Sequence, residues 1–122
     1  MLCEPDGCEI LVVEDSAEVS EAIVTLLEQQ GYRVNAAANG EEAIHLLQKH
    51  EHKPRLVFVD LIMPVLSGLD LIDAMRMDET LAQIPVVAMT ASNLRPRGVP
   101  TLRKPFGVNG LLGAAKLYCE AK

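Results

Sequence analysis

The sequence predicts an α/β fold built on a five-stranded parallel sheet. Short apolar runs rich in β-branched residues alternate with segments in which apolar residues recur at helical spacing. The clearest run is Leu56–Asp60, where four consecutive apolar residues suit a strand buried on both faces, as in a parallel sheet. Strands that alternate with helices form a parallel sheet with helices on both faces.

Local signals mark where the predicted elements begin and end. Ser16 can cap the first helix, because its hydroxyl can accept a hydrogen bond from a free backbone N–H group. Gly31 can end that helix in the left-handed conformation. The predicted strands are residues 9–14, 32–36, 56–60, 85–90 and 101–104. The first helix is predicted between Ser16 and Gly31, and the others over residues 41–50, 69–76 and 108–119.

Residues 91–100 break the alternation of strands and helices. They contain Pro96, Gly98 and Pro100 and show no apolar stripe, and proline strongly disfavours a helix interior. We therefore predict an irregular loop with at most one helical turn. Right-handed crossovers restrict the topology. The expected architecture is a flavodoxin-like doubly wound sheet of strand order 2-1-3-4-5, with the fourth helix absent or reduced to a loop.

Length and composition predict one domain, residues 9–122, after a lead-in of residues 1–8. The net charge of −6 argues against nucleic-acid binding through this domain. No apolar run is long enough to span a bilayer, and the N-terminus lacks the basic region of a secretory signal. Cys3, Cys8 and Cys119 are odd in number and form no Cys-x-x-Cys pair, which predicts reduced thiols in a cytoplasmic protein.

Polar side chains stand where the predicted strands end. Glu14 and Asp15 follow strand one, Asp60 ends strand three, Thr90 ends strand four and Lys104 ends strand five. In the expected strand order these ends meet at one edge of the sheet. Singly, a carboxylate there can only cap a turn and the lysine can be solvated.

Together, these residue types suit phosphoryl chemistry. Three close carboxylates repel one another, and a divalent cation such as Mg²⁺ relieves the repulsion through hard oxygen ligands. Lysine is a point charge suited to a phosphoryl oxygen, and threonine can donate a hydrogen bond to another. An aspartate can itself accept a phosphoryl group.

With these residues the chain resembles the receiver domain of two-component response regulators. The matching motifs occur in the family's order and cover nearly the whole chain. They are Ile10-Leu11-Val12-Val13-Glu14-Asp15, Val59-Asp60-Leu61-Ile62-Met63-Pro64 with Gly68, Ala88-Met89-Thr90-Ala91, and Lys104-Pro105-Phe106.

The resemblance implies a role for each site residue. Asp60 would be the phosphoacceptor, and Glu14, Asp15, Asp60 and the Ile62 backbone carbonyl would bind Mg²⁺. Thr90 and Lys104 would contact the phosphoryl group, and the Lys104–Pro105 peptide would be cis. A histidine kinase or phosphotransfer protein would donate the phosphate, and an unknown downstream protein would read it. Such a domain is not an enzyme, beyond catalysing its own phosphorylation and dephosphorylation.

Two departures from the family keep an alternative open. The fourth helix is missing, and Thr101 stands where the family commonly has an aromatic residue, three positions before the lysine. A degenerate receiver, acting as a non-switching interaction module, is the alternative function.

Two other functions are disfavoured by missing residues. A haloacid-dehalogenase-type phosphatase would need a second aspartate at the position of Ile62, and an FMN site would need a Ser/Thr-rich turn after strand one. Arg95, Arg97 and Arg103 are interpreted as a solvated loop, with a docking patch as the alternative.

Overall fold

The computed structural model describes residues 9–49, 53–63 and 65–119. Within these ranges, five strands and four α-helices follow the predicted order. The lead-in predicted for residues 1–8, the predicted helix end at residue 50, Pro64 of the third-strand motif and the last three residues of the predicted domain lie outside the described residues. The strands are β1 Glu9–Val13, β2 Arg33–Ala37, β3 Leu56–Asp60, β4 Val86–Thr90 and β5 Thr101–Arg103, and the helices are α1 Ala17–Gln29, α2 Gly40–Lys49, α3 Gly68–Arg76 and α4 Val108–Cys119.

All neighbouring strands of the sheet are parallel, and their order is β2-β1-β3-β4-β5. The register pairs Val13 with Val59 and Val59 with Ala88, so the carboxyl ends of the three central strands lie side by side. This confirms the predicted flavodoxin-like architecture. The side chains that follow β1, β3 and β4 are therefore brought to one edge.

Successive strand residues point to opposite faces of the sheet, and this alternation divides the core into two layers. One layer packs under α2 and α3 and includes Leu11, Val57 and Val59. The other packs under α1 and α4 and includes Val12 and Phe58. Because both faces are covered, β3 is buried at every position, as its unbroken apolar run predicted.

The connection from β4 to β5 contains no helix, as predicted. Residues 91–100 form bends, a turn and irregular backbone, with a positive φ of 76° at Gly98. The Arg76 guanidinium at the end of α3 donates a hydrogen bond to the Arg97 carbonyl. The Ala88 amide donates to the Pro100 carbonyl at 2.8 Å. The loop is thus tied to α3 and to β4 without a packed helix.

Element boundaries agree with the sequence within one or two residues. The Ser16 hydroxyl accepts a hydrogen bond from the Val19 amide and caps α1, and Gly31 has a φ of 96° just beyond the end of that helix. Strand β2 starts one residue later than predicted, because the Tyr32 amide still donates to the Leu27 carbonyl of α1 at 3.2 Å. A three-residue 3₁₀ turn at Leu81–Gln83 was missed, since three residues are too short to show periodicity.

The loop between β3 and α3 is sterically constrained. Gly68 is buried where α3 starts, and its amide donates to the Leu61 carbonyl at 3.1 Å. Val65 has a φ of 72°, which is an unfavourable value for a β-branched residue. This loop returns the chain directly over the end of β3, so it fixes the surroundings of Asp60. None of the described helices has the length and apolarity needed to cross a bilayer.

Candidate functional site

Backbone hydrogen bonds hold the ends of the strands at a common edge. The Glu14 amide donates to the Ala37 carbonyl at 3.0 Å, and the Leu61 amide donates to the Met89 carbonyl at 2.9 Å. The Lys104 amide donates to the Thr90 carbonyl at 2.8 Å. These bonds continue the sheet ladder one residue past the strands, so the side chains of Glu14, Asp60 and Lys104 start from fixed backbone positions.

Lys104 joins the two buried carboxylates of this edge. Its Nζ donates to Glu14 Oε1 at 2.8 Å and to Asp60 Oδ2 at 3.2 Å. Glu14 is 3% exposed and Asp60 is 7% exposed, whereas the Lys104 side chain keeps 23% of its surface in solvent. A single ammonium group therefore balances two carboxylates that are largely removed from water.

Burial and pairing act in opposite directions on these groups. Burial raises the pKa of the Glu14 carboxyl above its ordinary value of 4.5, although the hydrogen bonds from Lys104 and from the Ser16 amide counteract the shift. Burial lowers the pKa of Lys104, but its hydrogen bond to Glu14 and the charges of Glu14 and Asp60 outweigh that effect and raise the pKa above 10.5. The lysine is therefore charged at neutral pH.

Asp15 completes a carboxylate cluster at the same edge. Ligand oxygens of Glu14, Asp15 and Asp60 lie within 4.8 Å of one another, and Asp15 is exposed. Mg²⁺ prefers hard oxygen ligands and few carboxylates, with room left for water and for a phosphoryl oxygen. This donor set, closed on the inside by two buried acids and open to solvent at Asp15, fits that ion.

Thr90 lies at the same edge, but its hydroxyl is hydrogen-bonded to Ser92 in the following loop. Its side chain is completely buried, and its hydroxyl lies 2.8 Å from Ser92 Oγ. The Ser92 amide donates to Thr90 Oγ1 at 3.0 Å, and the Leu94 amide donates to Ser92 Oγ at 3.1 Å. The threonine hydroxyl is thus bonded to the loop that follows β4.

The structure brings together Glu14, Asp15, Asp60 and Lys104, and it places Thr90 beside them. The Ile62 amide donates to Asp60 Oδ1 at 3.2 Å. Ile62, whose carbonyl was predicted as a metal ligand, therefore also orients the Asp60 carboxylate through its amide. The Ile62 side chain is exposed. The Lys104–Pro105 peptide is cis, as the resemblance implied.

Sequence reasoning missed two polar contacts of the site. Ser16, predicted only as a helix cap, also donates its amide to Glu14 Oε2 at 3.2 Å. Ser92 is the partner of the Thr90 hydroxyl, and the available signal was a second hydroxyl residue two positions after Thr90. Both contacts depend on the local path of a loop, which periodicity does not report.

Comparison with known proteins gives one family. Residues 10–114 match the model described as the response regulator receiver domain. The polar-differentiation response regulator DivK of Brucella anthropi is 35% identical over 117 residues, which cover 89% of this chain and 94% of that protein. The probable transcriptional regulator ycf29 of Porphyra purpurea is 36% identical over 115 residues, covering 88% of this chain. The chain spans about half the length of that second relative (54%).

Solved structures show the same fold. The chemotaxis protein CheY4 of Vibrio cholerae superposes with a TM-score of 0.80 at 28% identity, covering 91% of this chain and 98% of that one. The receiver domain of the sensor histidine kinase PA1611 from Pseudomonas aeruginosa superposes with a TM-score of 0.83 at 28% identity, covering 94% of this chain and 99% of that one. That neighbour has a magnesium ion coordinated in its active-site cleft.

Proposed function

Because the chain belongs to the response regulator receiver domain family, whose members are regulatory domains rather than classical enzymes, we propose that Asp60 accepts a phosphoryl group. The donor is a histidine kinase or a phosphotransfer protein, and a separate downstream protein responds. The observation that carries this proposal is the Asp60 carboxylate at the end of the central strand, 3.2 Å from Lys104 and within the carboxylate cluster.

The proposed transfer needs few protein groups. An oxygen of the Asp60 carboxylate attacks the phosphorus of a phosphohistidine, the P–O bond forms, and the P–N bond breaks. The histidine nitrogen leaves with the electron pair of that bond. Lys104 stabilises charge on the transferred oxygens, as a fixed ammonium group at such a site does. The Thr90 hydroxyl can donate to a phosphoryl oxygen after leaving Ser92. Such a domain takes part in its own phosphorylation and dephosphorylation without turning over an external substrate.

Mg²⁺ is the proposed cofactor of the transfer. Glu14, Asp15 and Asp60 would hold it through carboxylate oxygens, with the Ile62 carbonyl as a further ligand. The ion supplies positive charge that neutralises the phosphoryl oxygens. The magnesium in the PA1611 neighbour belongs to a domain of the same fold and supports this assignment by likeness. Asp15 is the exposed member of the cluster, so it offers an oxygen on the solvent side.

We expect Asp60 to be the sole phosphorylation site. Incubation of the wild type with acetyl phosphate and Mg²⁺ should add one phosphate-sized mass increment, measured by intact-protein mass spectrometry. Asp60→Asn should show none, because its amide oxygen is a poor nucleophile. Asp73→Asn removes an exposed acid of α3 and is the matched control, so it should behave like the wild type. An Asp60→Asn protein that still gains the increment would refute the assignment.

A degenerate receiver is the second candidate function. The helix-free segment 91–100 and Thr101 at the usual aromatic position favour it, because both changes lie in the part that would relay the phosphorylated state. The same mass measurement separates the two candidates. A wild-type protein that takes no phosphate from acetyl phosphate, while remaining folded with Mg²⁺ present, would support the non-switching module instead.

We expect Mg²⁺ to stabilise the fold by mass action, because it binds the folded cluster and not the unfolded chain. At a concentration about 10 times the Kd, the gain is about 1.4 kcal/mol, which raises the melting temperature by several degrees. Asp15→Asn should abolish the rise, and the Asp73→Asn control should keep it. A wild-type melting temperature that does not change at saturating Mg²⁺ would contradict the metal site.

A further inference from the structure

Charge is distributed very unevenly along this acidic chain. It has 17 acidic residues, yet residues 91–119 contain no Asp or Glu. The same segment carries five of the 11 basic residues, which are Arg95, Arg97, Arg103, Lys104 and Lys116. Lys104 is bonded to the carboxylate cluster. The three arginines lie on or beside the helix-free loop between β4 and β5.

These arginines and Arg76 form a surface that we name the arginine stripe: Arg76, Arg95, Arg97 and Arg103. All four are exposed. Arg103 donates to the Asn93 side-chain oxygen at 3.1 Å, and Arg95 donates to the Ser92 and Leu94 carbonyls. Arg76 donates to the Arg97 carbonyl. Neutral acceptors therefore hold three of the guanidinium groups in place without cancelling their charge.

No carboxylate of the described residues neutralises the stripe. The salt bridges among the described residues join Arg33 to Glu9, and Lys104 to Glu14 and Asp60, and none involves the stripe. The acids nearest in sequence to Arg76 are Asp73 and Asp78, and neither forms an ion pair with it. The Asp78 carboxylate instead accepts hydrogen bonds from the Thr80 and Leu81 amides. Among the described residues, the stripe thus has no anionic partner, and three of its four guanidinium groups are held in place.

A cleft of mixed polar and apolar surface adjoins the stripe at Arg76. It measures about 380 Å³ and lies between the end of α3, the turn at Leu81–Gln83, the start of β4 and the end of the loop. Ile72, Met75 and Val99 contribute to its lining together with Arg76. The end of the loop is held against β4 by the hydrogen bond from the Ala88 amide to the Pro100 carbonyl at 2.8 Å.

We propose that the arginine stripe and the adjoining cleft bind an acidic segment of a partner protein. Its carboxylates pair with the guanidinium groups, which bind carboxylates bidentately, and one apolar side chain enters the cleft beside Arg76. Charge complementarity selects the acidic partner, and the apolar side chains that line part of the cleft favour a peptide over a nucleic acid. This surface does not depend on phosphorylation of Asp60.

The experiment uses a fluorescein-labelled twelve-residue probe peptide, Leu-Asp-Glu repeated four times, titrated with the whole chain and followed by fluorescence anisotropy. The test variant is Arg95→Glu/Arg97→Glu. The control variant, Lys49→Glu/Lys116→Glu, reverses two exposed lysines outside the stripe and has the same net charge. We expect the test variant to weaken binding at least about tenfold and the control to weaken it much less, because two paired charges become repulsive only in the test variant.

The wild-type measurements also separate the other possible occupants of this surface. Amide shifts induced by the probe should fall on residues 95–103 and on the end of α3, and binding should weaken as salt is added. Equal weakening by both variants, or shifts confined to other surfaces, would overturn the proposal. Tighter binding of a labelled twelve-nucleotide single strand than of the peptide would assign the stripe to nucleic acid. Stripe-dependent dimerisation of the chain alone in sedimentation would assign it to a second copy.

Discussion

Gly68→Ala is expected to destabilise the protein by about 3 kcal/mol and to lower its melting temperature by about 10 °C. A Cβ at position 68 would lie 2.3 Å from the Asp60 carbonyl oxygen and 2.7 Å from Leu61 Cα. These are backbone atoms of the end of β3, so no flexible side chain can move aside. The strand end or the start of α3 has to shift instead, and Asp60 shifts with it.

Gly113→Ala is the matched control for this substitution. Gly113 lies inside α4, is exposed, and a Cβ there has no neighbour within 4 Å. The same change of residue should therefore stabilise the protein by up to about 1 kcal/mol, since alanine favours the helix over glycine. Chemical denaturation of the two variants gives the comparison. Equal effects of both variants, or a neutral effect of Gly68→Ala, would mean that the β3–α3 contact is looser than the structure shows.

The contrast between these two glycines illustrates what the sequence can and cannot predict. Gly110 and Gly113 lie inside the helix predicted for residues 108–119, since helical spacing alone places them. Gly68 was identified from the sequence only as part of a family motif. Its close approach to Asp60 depends on where the loop crosses the strand, and a one-dimensional pattern does not contain that distance. The strands and helices were predictable because each carries its own periodicity, and the 3₁₀ turn was not.

The candidate site likewise has features that the sequence predicts and one that it does not. Asp60, Glu14, Asp15 and Lys104 could be placed together from the sequence, because parallel strands of known order bring their carboxyl ends to one edge. The orientation of the Thr90 hydroxyl towards Ser92 could not. That contact depends on the path of a loop that lacks both periodicity and the family's usual helix.

Lys104→Met is expected to destabilise the unmodified protein by about 2 kcal/mol, or about 7 °C in melting temperature. The substitution leaves Glu14 Oε1 without its lysine partner. The other oxygen, Glu14 Oε2, keeps its hydrogen bond from the Ser16 amide. Breaking a fully buried pair costs about 3–5 kcal/mol. The smaller figure applies here because the Lys104 side chain is 23% exposed, so water screens part of the interaction.

The pH dependence of the Lys104→Met variant should identify Glu14 as the cause. Without the lysine, the pKa of buried Glu14 rises further above its unfolded value of about 4.5. Between pH 4.5 and the raised pKa of Glu14, the folded state binds more protons than the unfolded state, so the stability of the variant falls as pH rises. The deficit relative to the wild type should be largest above the raised pKa and should shrink as the pH is lowered towards 4.5. A deficit independent of pH would point to lost packing of the lysine stem.

Although Lys104→Met lowers stability without the metal, this variant should respond more strongly to Mg²⁺ than the wild type does. The Lys104 ammonium competes with a cation for the carboxylates of Glu14 and Asp60. Its removal should therefore raise Mg²⁺ affinity, and the Mg²⁺-induced rise in melting temperature should exceed that of the wild type. Lys116→Met, which removes an exposed lysine of α4, should match the wild type with and without the ion. A smaller Mg²⁺ response in Lys104→Met than in the wild type would show that the lysine positions the carboxylates for the metal rather than competing with it.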